Sequence, residues 1–137
     1  YGVRVKDVNH LRLGFYQGDI FTEEPQNERD VTPVLEQLRE FKPTVISLAM
    51  DPEGSGPDTH YKVLQTIAHA VRLWSQEADL SKLRVWGYRN VWYRFDLAEA
   101  DIIVPVTLNS MSILNSTFMN CYLSQKDASF PCSTHIF

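Results

Sequence analysis

Apolar and polar positions alternate in several distinct rhythms along the chain. Val8, Leu11, Leu13 and Phe15 give the stretch from Val8 to Phe15 the apolar content of a strand. Gly14 to Arg29 is polar and broken by Gly18 and Pro25, so it reads as a loop. Val31, Val34, Leu35, Leu38 and Phe41 recur at helical spacing, with Asp30 or Thr32 available to cap the start and Pro33 tolerated in a first turn. Pro43 ends that helix. Thr44 to Ala49 is a short apolar run whose Val and Ile favour a buried strand. Asp51 to Asp58, with two prolines and two glycines, is a loop. From His60 to Ser75 a stripe of Val63, Ile67, Ala70, Val71 and Trp74 predicts a second helix. Arg84 to Phe95 and Ile102 to Val106 read as strands, the first with a bend at Gly87. Met111, Leu114, Phe118 and Tyr122 place a last helix over Leu108 to Ser124.

Strands alternating with helices predict an α/β layered fold with a largely parallel sheet. No repeat or linker divides the 137 residues, so a single domain over 1–137 is expected. A hydrophobic content of 44% with 22% charged residues is that of a folded chain rather than a disordered one. Thirteen basic against seventeen acidic residues give a net charge of −4, which disfavours a nucleic-acid partner. No apolar run is long enough to span a membrane and no signal peptide is visible, so a cytoplasmic, membrane-free protein is expected. Cys121 and Cys132 are read as reduced thiols, Cys121 in a helical core and Cys132 in a loop. Their spacing matches no zinc pattern.

Ligands of open α/β sheets bind outside the carboxyl ends of the strands. Met50 to His60 leaves such an end and carries Asp51, Glu53, Asp58 and His60. Asp58 or Thr59 suits a helix N-cap, which puts His60 in a first turn where the dipole favours the neutral imidazole a metal needs. The plainer reading is a capped loop with a surface histidine. His69 belongs to the opposite helix face and His10 interrupts a strand. In Arg84 to Phe95 three arginines alternate with aromatic residues. Stacking on a single-stranded nucleic acid is one reading, against the net charge. An amphipathic strand with a Trp-rich core is another. The sharper one is that Tyr88, Arg89 or Asn90 lines a polar substrate pocket.

The order of these segments resembles the PIG-L/LmbE-like zinc de-N-acetylase family. Gly2-Val3 followed by His10 to Tyr16, then Phe41-Lys42-Pro43 before a short apolar strand, are similar to successive segments of that family. Asp58-Thr59-His60-Tyr61-Lys62-Val63 resembles its H-P-D-H-x-x-V segment, and Ser124-Gln125 its closing S-Q. The subgroup most similar is the LmbE-like domain fused behind bacterial glucosamine-6-phosphate deaminase domains, where the loop has the Asp51-Pro52 to Thr59-His60 form. The resemblance implies a three-layer Rossmann-like fold and a zinc-dependent hydrolase that removes N-acetyl groups from N-acetylglucosamine-type substrates. It makes His60 a zinc ligand and Asp58 the catalytic carboxylate; the strand-end loop and the arginine–aromatic stretch separately offer Asp51, Arg89 and Asn90 as the substrate-binding candidates.

Two departures accompany it. No His-Pro pair occurs anywhere, so the family's H-P-D-D-E motif is absent, and Gly56-Pro57 replace the first histidine of H-P-D-H. The chain therefore resembles a partial domain without its first strand and helix, in which zinc belongs to the parent domain and the chain alone is inactive. The implied partners are an amino-sugar molecule, an attached or upstream deaminase domain and, through an exposed sheet edge, further copies of the chain. The alternative role is a non-catalytic assembly or regulatory domain of the deaminase.

Overall fold

A computed structural model describes residues 3–17, 22–89 and 95–125 of the chain. They fall into two compact units, one spanning His10–Glu99 and the other drawn from the two ends of the chain.

The larger unit is built on two helices and two strands. Helix α1, Thr32–Phe41, follows directly on a π-helical turn, Asn27–Val31. The first residue of α1 is not capped by its own side chain or by Asp30, as its sequence had suggested. Thr32 Oγ1 instead donates to the Asn27 carbonyl at 3.0 Å, and the Asp30 carboxylate accepts from Gln26 N–H at 2.8 Å. Asp30 thus serves the start of the π turn, reaching back as the acid of a capping box does. The helix ends where Lys42 adopts left-handed dihedrals and donates its N–H to Leu38 O at 2.9 Å, one residue before Pro43.

Strand β1, Val45–Ala49, leads through a loop into helix α2, Asp58–Trp74, and then into strand β2, Arg84–Tyr88. The strands pair in parallel, with Val45 opposite Arg84 and Ala49 opposite Tyr88. Val31, Val34, Leu35 and Leu38 meet Ala70 and Trp74 in the core. Ile46, Ile67, Val71 and Leu83 pack around that seam. The buried line of α2 is Lys62, Thr66, Ala70 and Trp74. It is turned toward polar residues relative to the expected Val63 and Ile67 stripe, because Thr66 satisfies its hydroxyl on the Lys62 carbonyl at 2.8 Å and Lys62 finds partners of its own.

The described residues of the unit form a mixed α/β arrangement with a small parallel two-stranded sheet. The strand expected over Val8 to Phe15 does not form. Residues 8–13 have no regular structure, with Arg12 at a left-handed φ of +51°, and Gly14–Gln17 is a 3₁₀ turn. The Phe15 N–H goes to Asp30 Oδ1 at 3.1 Å instead of to a neighbouring strand, and the ring is buried. β2 forms the first half of the long expected strand. Trp86 and Tyr88 are about half exposed, so they do not make the expected aromatic core. The far half of that segment, with Asn90 and Trp92, lies outside the described residues.

In the smaller unit, Ile102 to Val106 is exposed, with no ladder partner among the described residues, rather than a strand. Apolar content alone predicted it, and a strand also needs a ladder partner. Helix α3, Leu108–Cys121, starts at Thr107, whose hydroxyl accepts from Ser110 N–H at 3.1 Å, and a 3₁₀ turn, Leu123–Gln125, follows it. No described residue of α3 is buried, and Cys121 is exposed rather than in a core. Cys132 lies outside the described residues. Among the described residues no helix is long and apolar enough to cross a membrane.

Candidate functional site

The carboxyl ends of β1 and β2 lie side by side because the strands are parallel and in register. Met50 N–H extends the ladder by donating to Tyr88 O at 2.8 Å. Asp51 therefore leaves one strand end and Arg89 the other. Gly87 allows this closeness: a Cβ there would stand 2.9 Å from Met50 Cβ.

Asp51 is buried. Its carboxylate accepts from Ser55 Oγ at 2.7 Å, Gly56 N–H at 2.7 Å and Ser55 N–H at 3.0 Å. These bonds, the Ser55 hydroxyl first, hold the carboxyl below the usual aspartate range, with a smaller contribution from the nearby Arg89 charge. The loop turns at Gly54, whose φ of +62° an L side chain rarely adopts.

Arg89 faces Glu53 in a two-pronged pair, Nη1 to Oε2 at 3.1 Å and Nη2 to Oε1 at 3.3 Å. That pairing keeps Glu53 below its ordinary value. The guanidinium also stands 5.2 Å from the centre of the Phe95 ring. Its Nε is buried and has no hydrogen-bond partner among the described residues. One guanidinium against two carboxylates leaves this strand-end cluster with a net negative charge.

A second polar cluster fastens the loop before α1 to α2. Lys62 is buried, yet its Nζ donates to Thr22 O at 3.0 Å and Thr22 Oγ1 at 2.9 Å and pairs with Asp58 Oδ2 at 3.0 Å. Glu24 is 3.4 Å away. Burial pulls the lysine down, but the Asp58 hydrogen bond and charge outweigh it and leave it above its usual value. Asp58 accepts from the Thr22 hydroxyl, which together with Lys62 holds it below the aspartate range. Asp58 is the first residue of α2, not its cap; Pro57 occupies the cap position without a side-chain bond.

His60 sits half-buried in the first turn of α2, its N–H donating to Pro57 O at 2.9 Å. A catalytic zinc takes three protein ligands. Among the described residues, no three His, Cys, Asp or Glu side chains come together as a metal-binding group. The described side chains do not by themselves fit a zinc site around His60.

The structure thus brings Asp51 and Arg89 to one place and sets Asp58 in the Lys62 cluster. Lys62 and Thr22 are the partners that the sequence reading missed. The spacing of Asp58 and Lys62, four apart on a helix, is the clue that was there to be read. Two apolar cavities accompany these clusters. One of about 510 Å³ is lined by Leu13, Phe15, Tyr16, Thr59 and Val63 among others, and one of about 440 Å³ runs between α2 and the sheet, with Met50 in its wall.

One similarity to a known protein bears on these clusters. The chain is 28% identical, over 128 residues, to a Bacteroides thetaiotaomicron protein described as glucosamine-6-phosphate deaminase-like. The match covers 90% of this chain and 19% of that protein, so the chain spans about a fifth of its relative's length. The similarity links the chain to a glucosamine-6-phosphate deaminase-like protein. No family model matches the chain, and no solved structure matches it.

Proposed function

We propose that the chain is an LmbE-like portion of a glucosamine-6-phosphate deaminase-like protein and that it recognises an amino sugar at the carboxyl ends of β1 and β2. The Arg89–Glu53 pair is the observation that carries this reading. It stands where open α/β folds bind ligands, and it offers a donor fork beside an exposed acceptor. Sugar hydroxyls can bond to both members. The excess negative charge contributed by Asp51 and Glu53 favours an ammonium group over a phosphate, so the amine end of the sugar faces the pair and a 6-phosphate points away.

De-N-acetylation is the reaction that the LmbE resemblance implies. Zinc would supply the Lewis acid and the activated water for it. The described residues do not gather the ligands for that metal, so the role we assign to the chain itself is binding and orientation. Calorimetric titration with glucosamine tests it. The expected result is saturable binding that weakens about tenfold to a hundredfold in Arg89→Ala, the loss of charge-assisted hydrogen bonds. Equal binding in both proteins overturns the assignment.

A second reading has its own support. The Asp51 and Asp58 carboxylates are both taken up by donors of the chain, Ser55 and Gly56 in one case and Thr22 and Lys62 in the other. That is the bonding of scaffold residues, and it favours a non-catalytic domain that assembles or regulates an attached deaminase. Deleting the matching stretch from the Bacteroides relative should then alter its oligomer size or its kinetics. Unchanged size and kinetics exclude this role.

A further inference from the structure

The two faces of the small sheet differ. Leu48 is buried in the groove beneath α2, which Ile46, Met50 and a half-exposed Val85 also line. Side chains alternate along a strand, so Arg84, Trp86 and Tyr88 share the opposite face with Val45, Ser47 and Ala49. Val45, Trp86 and Tyr88 are 42%, 48% and 53% exposed there. Each strand of a two-stranded sheet also has an outer edge with no ladder partner among the described residues.

We propose that β2 pairs edge to edge with the β2 of a second copy of this chain, antiparallel, about a two-fold axis through Trp86. The strand is complementary to itself in this register. Arg84 stands opposite the second copy's Tyr88, placing a cation beside an electron-rich ring at each end. Trp86 meets its own counterpart as a cross-strand aromatic pair. Val85 stands opposite Gly87, large beside small, on the α2 side. The parallel alternative sets Arg84 against Arg84, a like-charge contact. The antiparallel register separates the two arginines by four strand steps, roughly 13 Å, beyond the Debye length of about 8 Å at physiological salt.

Protected edges carry charges, proline or bulges; β2 has a single charge, Arg84 at its start, no proline, and pairs regularly with β1. The outer edge of β1 is a poorer candidate. It follows Lys42 and Pro43 and offers the small Ser47 and Ala49 on the open face.

Sedimentation equilibrium from low to high micromolar chain tests the proposal. The wild type should show a monomer–dimer equilibrium, and Trp86→Lys, at an exposed position that leaves the core intact, should weaken it by about tenfold or more. Hydrogen exchange of the wild type should slow at 84–88 as concentration rises. In a Cys121→Ser, Cys132→Ser background, Trp86→Cys should form a disulfide between copies and Val85→Cys should not, because only residue 86 faces itself. A monomer at every concentration, a dimer indifferent to Trp86→Lys, or equal crosslinking at 85 and 86 overturns it.

Discussion

Asp30 is fully buried, and its carboxylate accepts from Phe15 N–H, Gln26 N–H and Arg29 Nε. Burial is the largest single influence and pushes its pKa up, but the Gln26, Arg29 and Phe15 hydrogen bonds together outweigh it and leave the group below the aspartate range. A depressed folded-state pKa contributes stability above the unfolded value of about 3.9. That stability is lost as pH falls through the folded value. Urea unfolding of Asp30→Ala should show a loss of about 2–4 kcal/mol, since the buried Phe15 N–H and the part-buried Gln26 N–H lose their acceptor. An Asp30→Asn variant should show a flatter decline in stability on acidification than the wild type; an unchanged acid profile would remove Asp30 from this role. Part of this was legible. Asp30 stood out as a residue for the start of a helix, but its bond to Phe15 joins positions fifteen apart and no local pattern announces it. Arg89 and Glu53 are further apart still. The carboxyl-end rule located Asp51 and Glu53 and the arginine–aromatic alternation singled out Arg89, while only the folded backbone shows that Glu53 and Arg89 are partners.

At the level of elements, α1, β1 and α2 were readable because each has a periodic or continuous apolar pattern closed by proline, glycine or a capping loop. The segments at 8–15 and 102–106 have apolar content without a ladder partner among the described residues, and neither forms a strand. Residues that pack between elements dominate stability. Trp74, at the buried α1–α2 seam, should cost about 3–5 kcal/mol when replaced by alanine in denaturant unfolding. Gly87→Ala should destabilise by about 1–3 kcal/mol because its methyl would press on the Cβ of Met50, not only on its flexible tip. A neutral effect would mean that the strand end shifts freely. Lys62 joins Thr22 and Glu24 to α2. Lys62→Met keeps the apolar stem but removes the bonds, so exchange of the amides at 22–26 should quicken while α1 stays protected. Uniform loss of protection would show that Lys62 holds the whole unit rather than this one loop.

For the molecule as a whole, the proposed role rests on the Bacteroides similarity and the strand-end cluster taken together. The first is a similarity to a glucosamine-6-phosphate deaminase-like protein about five times the length of the match. The second puts a guanidinium–carboxylate pair where such a sheet receives a ligand. Hydrolysis through zinc is a separate matter: one zinc per isolated chain, read by atomic absorption, would show that ligands assemble around His60 after all, and the expected content is well below that. The central claim is that the sugar binds at Arg89 and Glu53, and backbone amide shifts recorded while glucosamine is titrated into the chain test it most directly. Binding at the strand ends predicts saturable shifts concentrated at 51–56 and 87–89 that disappear in Arg89→Ala. Saturable shifts centred elsewhere, or a shift pattern that survives Arg89→Ala, would contradict it.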